Sequence, residues 1–116
     1  NKPCATNPWM RKYIFPGGYI PSLSEILKVC EKHEITIYDI EVLHHHYAHT
    51  LKHWYNNLLK NKEKIIKMFD KRFFRMWEFY LVSSQYSFKN MGNVVVQILI
   101  SKDTNNLSLT RNYMYN

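Results

Sequence analysis

HHHYAHTLKHW, the segment from His44 to Trp54, organises the rest of the chain. If it forms a helix that advances about 100° per residue, one of its faces is apolar and the opposite face is polar. The apolar face is formed by Tyr47, Leu51, Trp54 and Leu58, and the polar face by His45, His49 and His53. We therefore expect an inward-facing stripe that begins at Tyr47 and an outward-facing row of histidines.

Tyr47 carries a phenol into the apolar side of this helix. A buried hydroxyl without a hydrogen-bond partner costs about 1–3 kcal/mol, so it must find one. Either a backbone carbonyl satisfies the hydroxyl and Tyr47 is a core residue, or the hydroxyl serves a site. The residues of this segment leave both alternatives open.

The row of histidines raises the question of a metal site, because imidazoles four residues apart on a helix can bind one ion. No cysteine lies nearby to complete the ligand set, and the carboxylates Asp39 and Glu41 belong to a segment that reads as a strand. A solvated polar face is the simpler interpretation. We predict no metal site.

The composition sets broad limits on the protein. Its 116 residues suffice for one small domain, and 46% of them are hydrophobic and 16% aromatic, so a large apolar surface is buried. The net charge of +7 predicts an anionic neighbour: nucleic acid, a phospholipid surface or an anionic cofactor. Cys4 and Cys30 do not make a disulfide framework, which predicts a cytoplasmic protein with Cys30 in the core. No apolar run approaches the roughly 18 residues that span a bilayer, so we expect any membrane contact to be peripheral.

Sequence patterns predict the remaining elements in order. Residues 1–21 hold all four prolines between large apolar side chains and are interpreted as an ordered loop. Ser22 and Glu25 have the spacing of a capping box, which starts a helix that continues to about His33. The other predicted elements are a strand at Ile35–Leu43, helices at His44–Leu59, Lys62–Phe69 and Lys71–Phe88, and a strand at Asn93–Ile100.

The last predicted strand is apolar at nearly every position except Gln97, which is typical of a strand buried on both faces of a larger sheet. One strand at each end of a helical segment does not make a stable sheet on its own. We therefore expect both strands to add to the edge of a sheet that upstream sequence supplies. The chain does not begin with Met, and we interpret it as a fragment.

Several motifs occur in a fixed order along the chain. They are Asn7–Gly18 (NPWMRKYIFPGG), Ile20–Ser22 (IPS), His46–Leu51 (HYAHTL) with Trp54, Phe74–Leu81 (FRMWEFYL) and Gln97. Together they resemble cyclopropane fatty acid synthases and the related mycolic acid cyclopropane synthases. The resemblance implies an α/β fold, the C-terminal part of a Rossmann-like methyltransferase that depends on S-adenosylmethionine (SAM), with two edge strands and lipid-cap helices. Residues 1–102 would belong to the methyltransferase domain and residues 103–116 to a polar tail.

The resemblance also implies an activity: transfer of the SAM methyl group to a cis double bond of an acyl chain, loss of a proton to a bound bicarbonate, and closure of a cyclopropane ring. In the family, a tyrosine in the motif matched by HYAHTL helps to hold the bicarbonate, and it corresponds to Tyr47. The other bicarbonate ligands lie upstream, and Cys4 is not one of them. The glycine-rich loop that binds SAM also lies upstream, so no cofactor-binding residue is expected in this chain.

Other positions match residues that line the acyl channel of the family. They are Phe15, Leu51, Tyr80, Ser84 and Phe88. The last three are spaced i, i+4 and i+8, so a helix would present them on one face. Plain core packing is the alternative for the apolar members of this set, because both roles need inward-facing apolar side chains.

The resemblance implies unsaturated phospholipid acyl chains as substrate, and a peripheral position at an anionic membrane surface. Exposed basic side chains would contact the headgroups, each worth about 1 kcal/mol near such a surface. They are Lys52, Lys60, Lys62, Lys64, Lys67, Lys71, Arg72 and Arg75. Nucleic acid is not expected, because the aromatic residues lie on buried stripes and not among the lysines.

Three alternatives stay open at the level of sequence. The enzyme could methylate a lipid or another acceptor without closing a ring. The chain could instead be a non-enzymatic basic module that binds membranes or nucleic acid. The oligomeric state is also open, with a homodimer among the choices.

Overall fold

A computed structural model describes residues 4–103, 105 and 108–115 of the protein. Residues 1–3 of the predicted N-terminal loop and residues 104, 106, 107 and 116 of the predicted tail lie outside this description. The elements are β1 (Cys4–Ala5), α1 (Pro8–Tyr13), β2 (Tyr19–Ile20), α2 (Leu23–Lys32), β3 (Thr36–Leu43), α3 (His46–Lys60), α4 (Lys62–Met68), α5 (Lys71–Asn90), β4 (Val95–Ser101) and a 3₁₀ helix (Arg111–Met114). From α2 to β4, the elements confirm the predicted order.

Helix α2 begins at the capping box that the sequence predicts. The Ser22 hydroxyl accepts a hydrogen bond from the Glu25 N–H at 3.3 Å, and the Glu25 carboxylate accepts one from the Ser22 N–H at 2.9 Å. The Tyr19 hydroxyl donates to the other carboxylate oxygen of Glu25 at 2.7 Å, which ties β2 to the first turn of α2. Cys30 of this helix is buried, which confirms its predicted place in the core.

Strands β3 and β4 pair in antiparallel orientation, although helices α3, α4 and α5 separate them along the chain. Their register places Leu43 opposite Val95, with an irregularity between Ile37 and Asp39. No residue of β4 is fully buried, however, and Ile100 is 48% exposed. Among the described residues β4 pairs with β3 alone, so its burial on both faces, which depends on a sheet supplied by upstream sequence, stays a prediction.

The core lies between α3 and α5. Leu51 of α3 is fully buried and packs with Tyr80 and Leu81 of α5. Trp54 is 46% exposed, so its predicted place in the buried stripe is wrong. The buried face of α3 is centred between Ala48 and Leu51, which rotates Trp54 to the edge of the helix interface.

The N-terminal segment contains a short helix where the sequence predicts an ordered loop. The Asn7 side chain accepts a hydrogen bond from the Trp9 N–H at 2.9 Å, and Pro8 occupies the start of α1, where a missing N–H costs little. The loop after α1 is tight at Gly18. A Cβ at this position would lie only 2.9 Å from the carbonyl oxygen of Phe15, so the loop requires glycine there. This geometry lays α1 against the core formed by α3 and α5.

The described chain is elongated. Its Cα radius of gyration is 18.1 Å, whereas a compact protein of this length has about 13 Å. Several large apolar side chains are exposed, among them Val42, Phe79, Val82 and Met91. Within the described ranges, no helix combines the length and the apolar character that crossing a membrane requires.

Candidate active site

The residues predicted for the active site come from two core helices and from the loop after α1. They are Tyr47 and Leu51 of α3, Tyr80, Ser84 and Phe88 of α5, and Phe15 from the loop after α1. The Tyr47 ring lies 4.7 Å from the Phe88 ring, and the Phe15 ring lies 5.7 Å from the Tyr80 ring, both edge to face. We call these six residues the aromatic site.

Tyr80 is the buried phenol of the aromatic site, with 8% of its surface exposed. Burial raises the pKa of Tyr80, and electrostatic repulsion from the Tyr47 oxygen raises it further. A hydrogen bond with the Ser84 side chain acts in the opposite direction on this pKa. Since the ordinary pKa of the phenol is 10.0 and burial raises it further, Tyr80 is neutral near pH 7.

Tyr47 is partly buried at the first turn of α3. Its ring is held between Phe88 at 4.7 Å and Trp54 at 6.0 Å, so its position is fixed by aromatic contacts on both helices. Within the described part of the chain, its hydroxyl forms no hydrogen bond and no fully buried polar side-chain atom lacks a partner. The Tyr47 hydroxyl is therefore accessible and can donate to a ligand. The ring faces inward as predicted. Among the described residues, no backbone carbonyl accepts a hydrogen bond from the Tyr47 hydroxyl, so the alternative of a core tyrosine satisfied in that way does not hold.

Phe15 forms the open side of the aromatic site. It is 49% exposed although its ring contacts Tyr80. Leu51, by contrast, is fully buried at the centre of the core. The predicted channel residues thus range from a half-exposed position at Phe15 to the fully buried Leu51, and their role as a channel stays a prediction.

Sequence reasoning missed the contribution of α1 to this region. Trp9, Met10 and Ile14 pack against the same core, and the Trp9 ring lies 4.7 Å from the Phe79 ring. The dipeptide Asn7-Pro8 was the available signal, since asparagine at the N-cap followed by proline starts many helices. If a helix begins at Pro8, its apolar residues lie on the side of α1 that faces the core.

An apolar groove runs between α3, α4 and α5, with a volume of about 480 Å³. We call it the helical groove. Its lining includes Trp54, Leu58, Ile65, Met68, Trp77 and Leu81. Leu81 belongs to the buried core as well, so the helical groove adjoins the core that holds the aromatic site.

The polar clusters of the chain lie elsewhere. His45, His49 and His53 are exposed, as predicted for the outer face of α3. In the described ranges, no three His, Cys, Asp or Glu side chains lie close enough to hold a metal ion.

Asp39 of β3 accepts hydrogen bonds from Arg111 at 2.6 and 2.8 Å and from the Tyr113 hydroxyl at 3.0 Å. Burial acts to raise the pKa of Asp39, but the hydrogen bonds from Arg111 and Tyr113 outweigh it and hold the pKa below its ordinary value. This cluster anchors the 3₁₀ helix of the tail to strand β3. It offers no free carboxylate for chemistry.

Comparison with known proteins gives a consistent set of relatives. Residues 1–98 match the family model described as mycolic acid cyclopropane synthetase. The tuberculostearic acid methyltransferase UfaA1 of Mycobacterium tuberculosis is 38% identical over 87 residues, which make up 73% of this chain and 20% of that protein. A sphingolipid C9-methyltransferase of Candida albicans is 33% identical over 98 residues, or 84% of this chain and 19% of that protein. The chain therefore spans about a fifth of the length of these curated relatives.

Solved structures of similar proteins confirm the predicted fold class. The cyclopropane synthase MmaA2 from Mycobacterium tuberculosis matches with a TM-score of 0.76 and 25% identity, over 79% of this chain and 32% of that one. The mycolic acid cyclopropane synthase CmaA1, in a crystal structure complexed with SAH and CTAB, matches with a TM-score of 0.73 and 26% identity over the same shares. The helices and the antiparallel pair of strands β3 and β4 correspond to the C-terminal part of these α/β structures.

Proposed function

The chain belongs to the mycolic acid cyclopropane synthetase family, and on that premise we propose that it is the C-terminal part of a SAM-dependent methyltransferase that acts on lipids. The reaction we propose is transfer of a methylene group to the cis double bond of unsaturated phospholipid acyl chains, by an enzyme at an anionic membrane surface in the cytoplasm. The observation that carries the proposal is the convergence of Phe15, Tyr47, Leu51, Tyr80 and Phe88 in one aromatic site.

The aromatic site suits a reaction that passes through a positive charge on carbon. A methylated double bond is a carbocation, and the electron-rich faces of aromatic rings attract cations. Tyr47 and Phe88 place two rings 4.7 Å apart, and Tyr80 is buried beside them. Apolar side chains around the cation would also limit the approach of water, which would otherwise quench it as an alcohol.

Tyr47 supplies the polar function of the site. Its hydroxyl has no hydrogen-bond partner among the described residues, and the aromatic contacts of its ring fix its position. These properties fit a donor to a small bound anion such as bicarbonate. When bound, SAM supplies the methyl group and bicarbonate supplies a base for the proton that must leave before the ring closes. SAH in one of the similar structures supports SAM as the donor.

The neutral state of Tyr80 helps to keep this arrangement in place. Because burial raises the pKa of Tyr80, its phenol stays protonated and adds no competing negative charge beside Tyr47. We infer that Phe15, Leu51, Tyr80, Ser84 and Phe88 contact the acyl chain beside Tyr47.

A second candidate is methylation of the acyl chain without ring closure. It is favoured by the relatives, since UfaA1 is named a tuberculostearic acid methyltransferase and others are named sphingolipid C9-methyltransferases. The same aromatic site would serve this reaction. The two candidates differ in which hydrogen is lost from the cation: one from the new methyl group closes the ring, and one from the acyl chain restores a double bond.

Mass spectrometry of the lipid product tests the proposal. Protein expressed from the complete coding sequence is incubated with SAM carrying a CD₃ methyl group, bicarbonate and vesicles of unsaturated phospholipid. We expect acyl chains that gain CD₂ and lose the double bond. A product that keeps a double bond would establish the second candidate, and the absence of label in any lipid would overturn the assignment of a lipid acceptor.

A further inference from the structure

Two apolar residues at the junction of α4 and α5 stand out because they are exposed. Met68 ends α4 and Phe69 links it to Asp70, the N-cap of α5. Met68 is 64% exposed and Phe69 is 58% exposed, and we call this pair the apolar tip. We propose that the apolar tip inserts into the surface of an anionic phospholipid bilayer and docks the enzyme there, a proposal that rests on the lipid-modifying function above.

The charges around the apolar tip identify the partner. Residues 62–75 contain six Lys or Arg and two Asp or Glu, and every one of the six basic residues is exposed. The Asp70 carboxylate is occupied in capping α5, where it accepts a hydrogen bond from the Phe73 N–H at 2.6 Å. An exposed apolar pair flanked along the chain by exposed basic side chains matches the boundary between acyl chains and anionic headgroups.

The ring geometry favours lipid over nucleic acid. Phe69 stacks on Phe73, with ring centroids 4.1 Å apart and planes inclined by 18°. One face of the Phe69 ring is therefore covered, and Met68, the more exposed member of the tip, offers no ring on which a base could stack. Unbranched and aromatic apolar side chains next to lysine are instead the composition of interfacial anchors.

The apolar tip is also continuous with the aromatic site. From Phe69 and Phe73 the aromatic contacts run to Trp77, 6.2 Å from Phe73, and then to Tyr80, 5.4 Å from Trp77. Met68 and Trp77 both line the helical groove. Docking at the tip would thus hold the bilayer at one end of an apolar path whose other end is Tyr80.

Vesicle binding tests the docking role without relying on catalysis. The protein from the complete coding sequence is sedimented with vesicles of phosphatidylcholine alone or with phosphatidylglycerol, in the absence of SAM. The double variant Met68→Ser/Phe69→Ser should bind the anionic vesicles at least about tenfold more weakly than wild type, because two exposed apolar side chains no longer enter the bilayer. A matched control, Tyr86→Ser/Met91→Ser, removes side chains that are 63% and 66% exposed near the other end of α5 and should bind like wild type.

A conservative variant and an assay with substrate dispersed in detergent complete the test. Phe69→Trp should retain binding and show a blue shift of its emission when anionic vesicles are added. Turnover of detergent-dispersed substrate by the wild type tests the chemistry separately: its absence would overturn the proposed function, whereas weaker vesicle binding by the tip variant than by the control variant would still support docking. Equal vesicle binding by the tip and control variants would overturn the docking proposal. So would wild-type protein that binds an oligonucleotide and ignores anionic vesicles.

Discussion

Replacing Leu51 by alanine should destabilise the protein more than a change at any exposed position of α3. Leu51 is fully buried and packs with Tyr80 and Leu81 at the centre of the α3–α5 interface. Removing a buried leucine side chain costs the transfer free energy of the lost atoms and leaves a cavity, together about 3–5 kcal/mol. We expect the upper part of this range, because the neighbouring side chains include large rings held on a second helix and cannot close the cavity easily.

Urea denaturation of protein expressed from the complete coding sequence measures this effect, with tryptophan fluorescence and circular dichroism as probes. The control is Leu59→Ala on the same helix, where the side chain is 41% exposed and the expected loss is below about 1 kcal/mol. Coincident transitions by the two probes would justify a two-state analysis. A loss below about 1 kcal/mol for Leu51→Ala, or equal losses for both variants, would refute the placement of the core between α3 and α5.

Three further predictions concern the elements around the core. Ser22→Ala removes the N-cap of α2 and should lower the free energy of unfolding by about 0.5–2 kcal/mol, measured by the same denaturation; no loss would contradict the capping box. Hydrogen bonds from the Ser22 backbone and then from Tyr19 lower the pKa of Glu25 below its ordinary value of 4.5, so its stabilising effect is present above that pH and is lost as the pH falls through the lowered pKa. The wild type should therefore lose more stability than Glu25→Gln on acidification below this value, and identical pH profiles would sink this assignment. Arg111→Ala should release the 3₁₀ helix from Asp39 and speed limited proteolysis of residues 103–115, with Arg11→Ala as control; unchanged cleavage would mean that the ion pair does not hold the tail.

Local signals predicted the elements from α2 onward. The spacing of Ser22 and Glu25 predicted the capping box because both hydrogen bonds form within one turn. The helical period also placed Leu51 in the core, because the position of a residue on a helix face depends only on its spacing from neighbours in the same helix. The histidines of α3 were likewise predicted to be exposed from their position on the wheel, and they are.

Features set by distant partners were not predictable from local pattern. Trp54 reads as buried on the wheel, but the position of α5 decides which side of α3 is covered. The contact of Asp39 with Arg111 joins residues 72 positions apart, and no periodicity indicates it. Helix α1 was missed because the prolines and glycines of residues 1–21 favoured a loop, although Asn7-Pro8 is a start signal.

The aromatic site combined both kinds of inference. Helical spacing put Tyr80, Ser84 and Phe88 on one face, while the resemblance to a family selected Tyr47 and Phe15 as their partners. The structure brings these residues together, and their catalytic and binding roles stay predictions. The basic residues near α4 were predicted as a headgroup contact, but the apolar tip among them became visible only from its exposure.

The most direct test of the account is methyl transfer from SAM to unsaturated phospholipid by the variant Tyr47→Phe. If the Tyr47 hydroxyl serves a bound anion in the transition state, kcat should fall about 100-fold or more while stability changes by less than about 1 kcal/mol. Tyr55→Phe is the matched control, since it removes a hydroxyl from a partly buried tyrosine of the same helix outside the proposed machinery. Its turnover should equal that of wild type. Unchanged turnover for Tyr47→Phe would contradict the account at its centre.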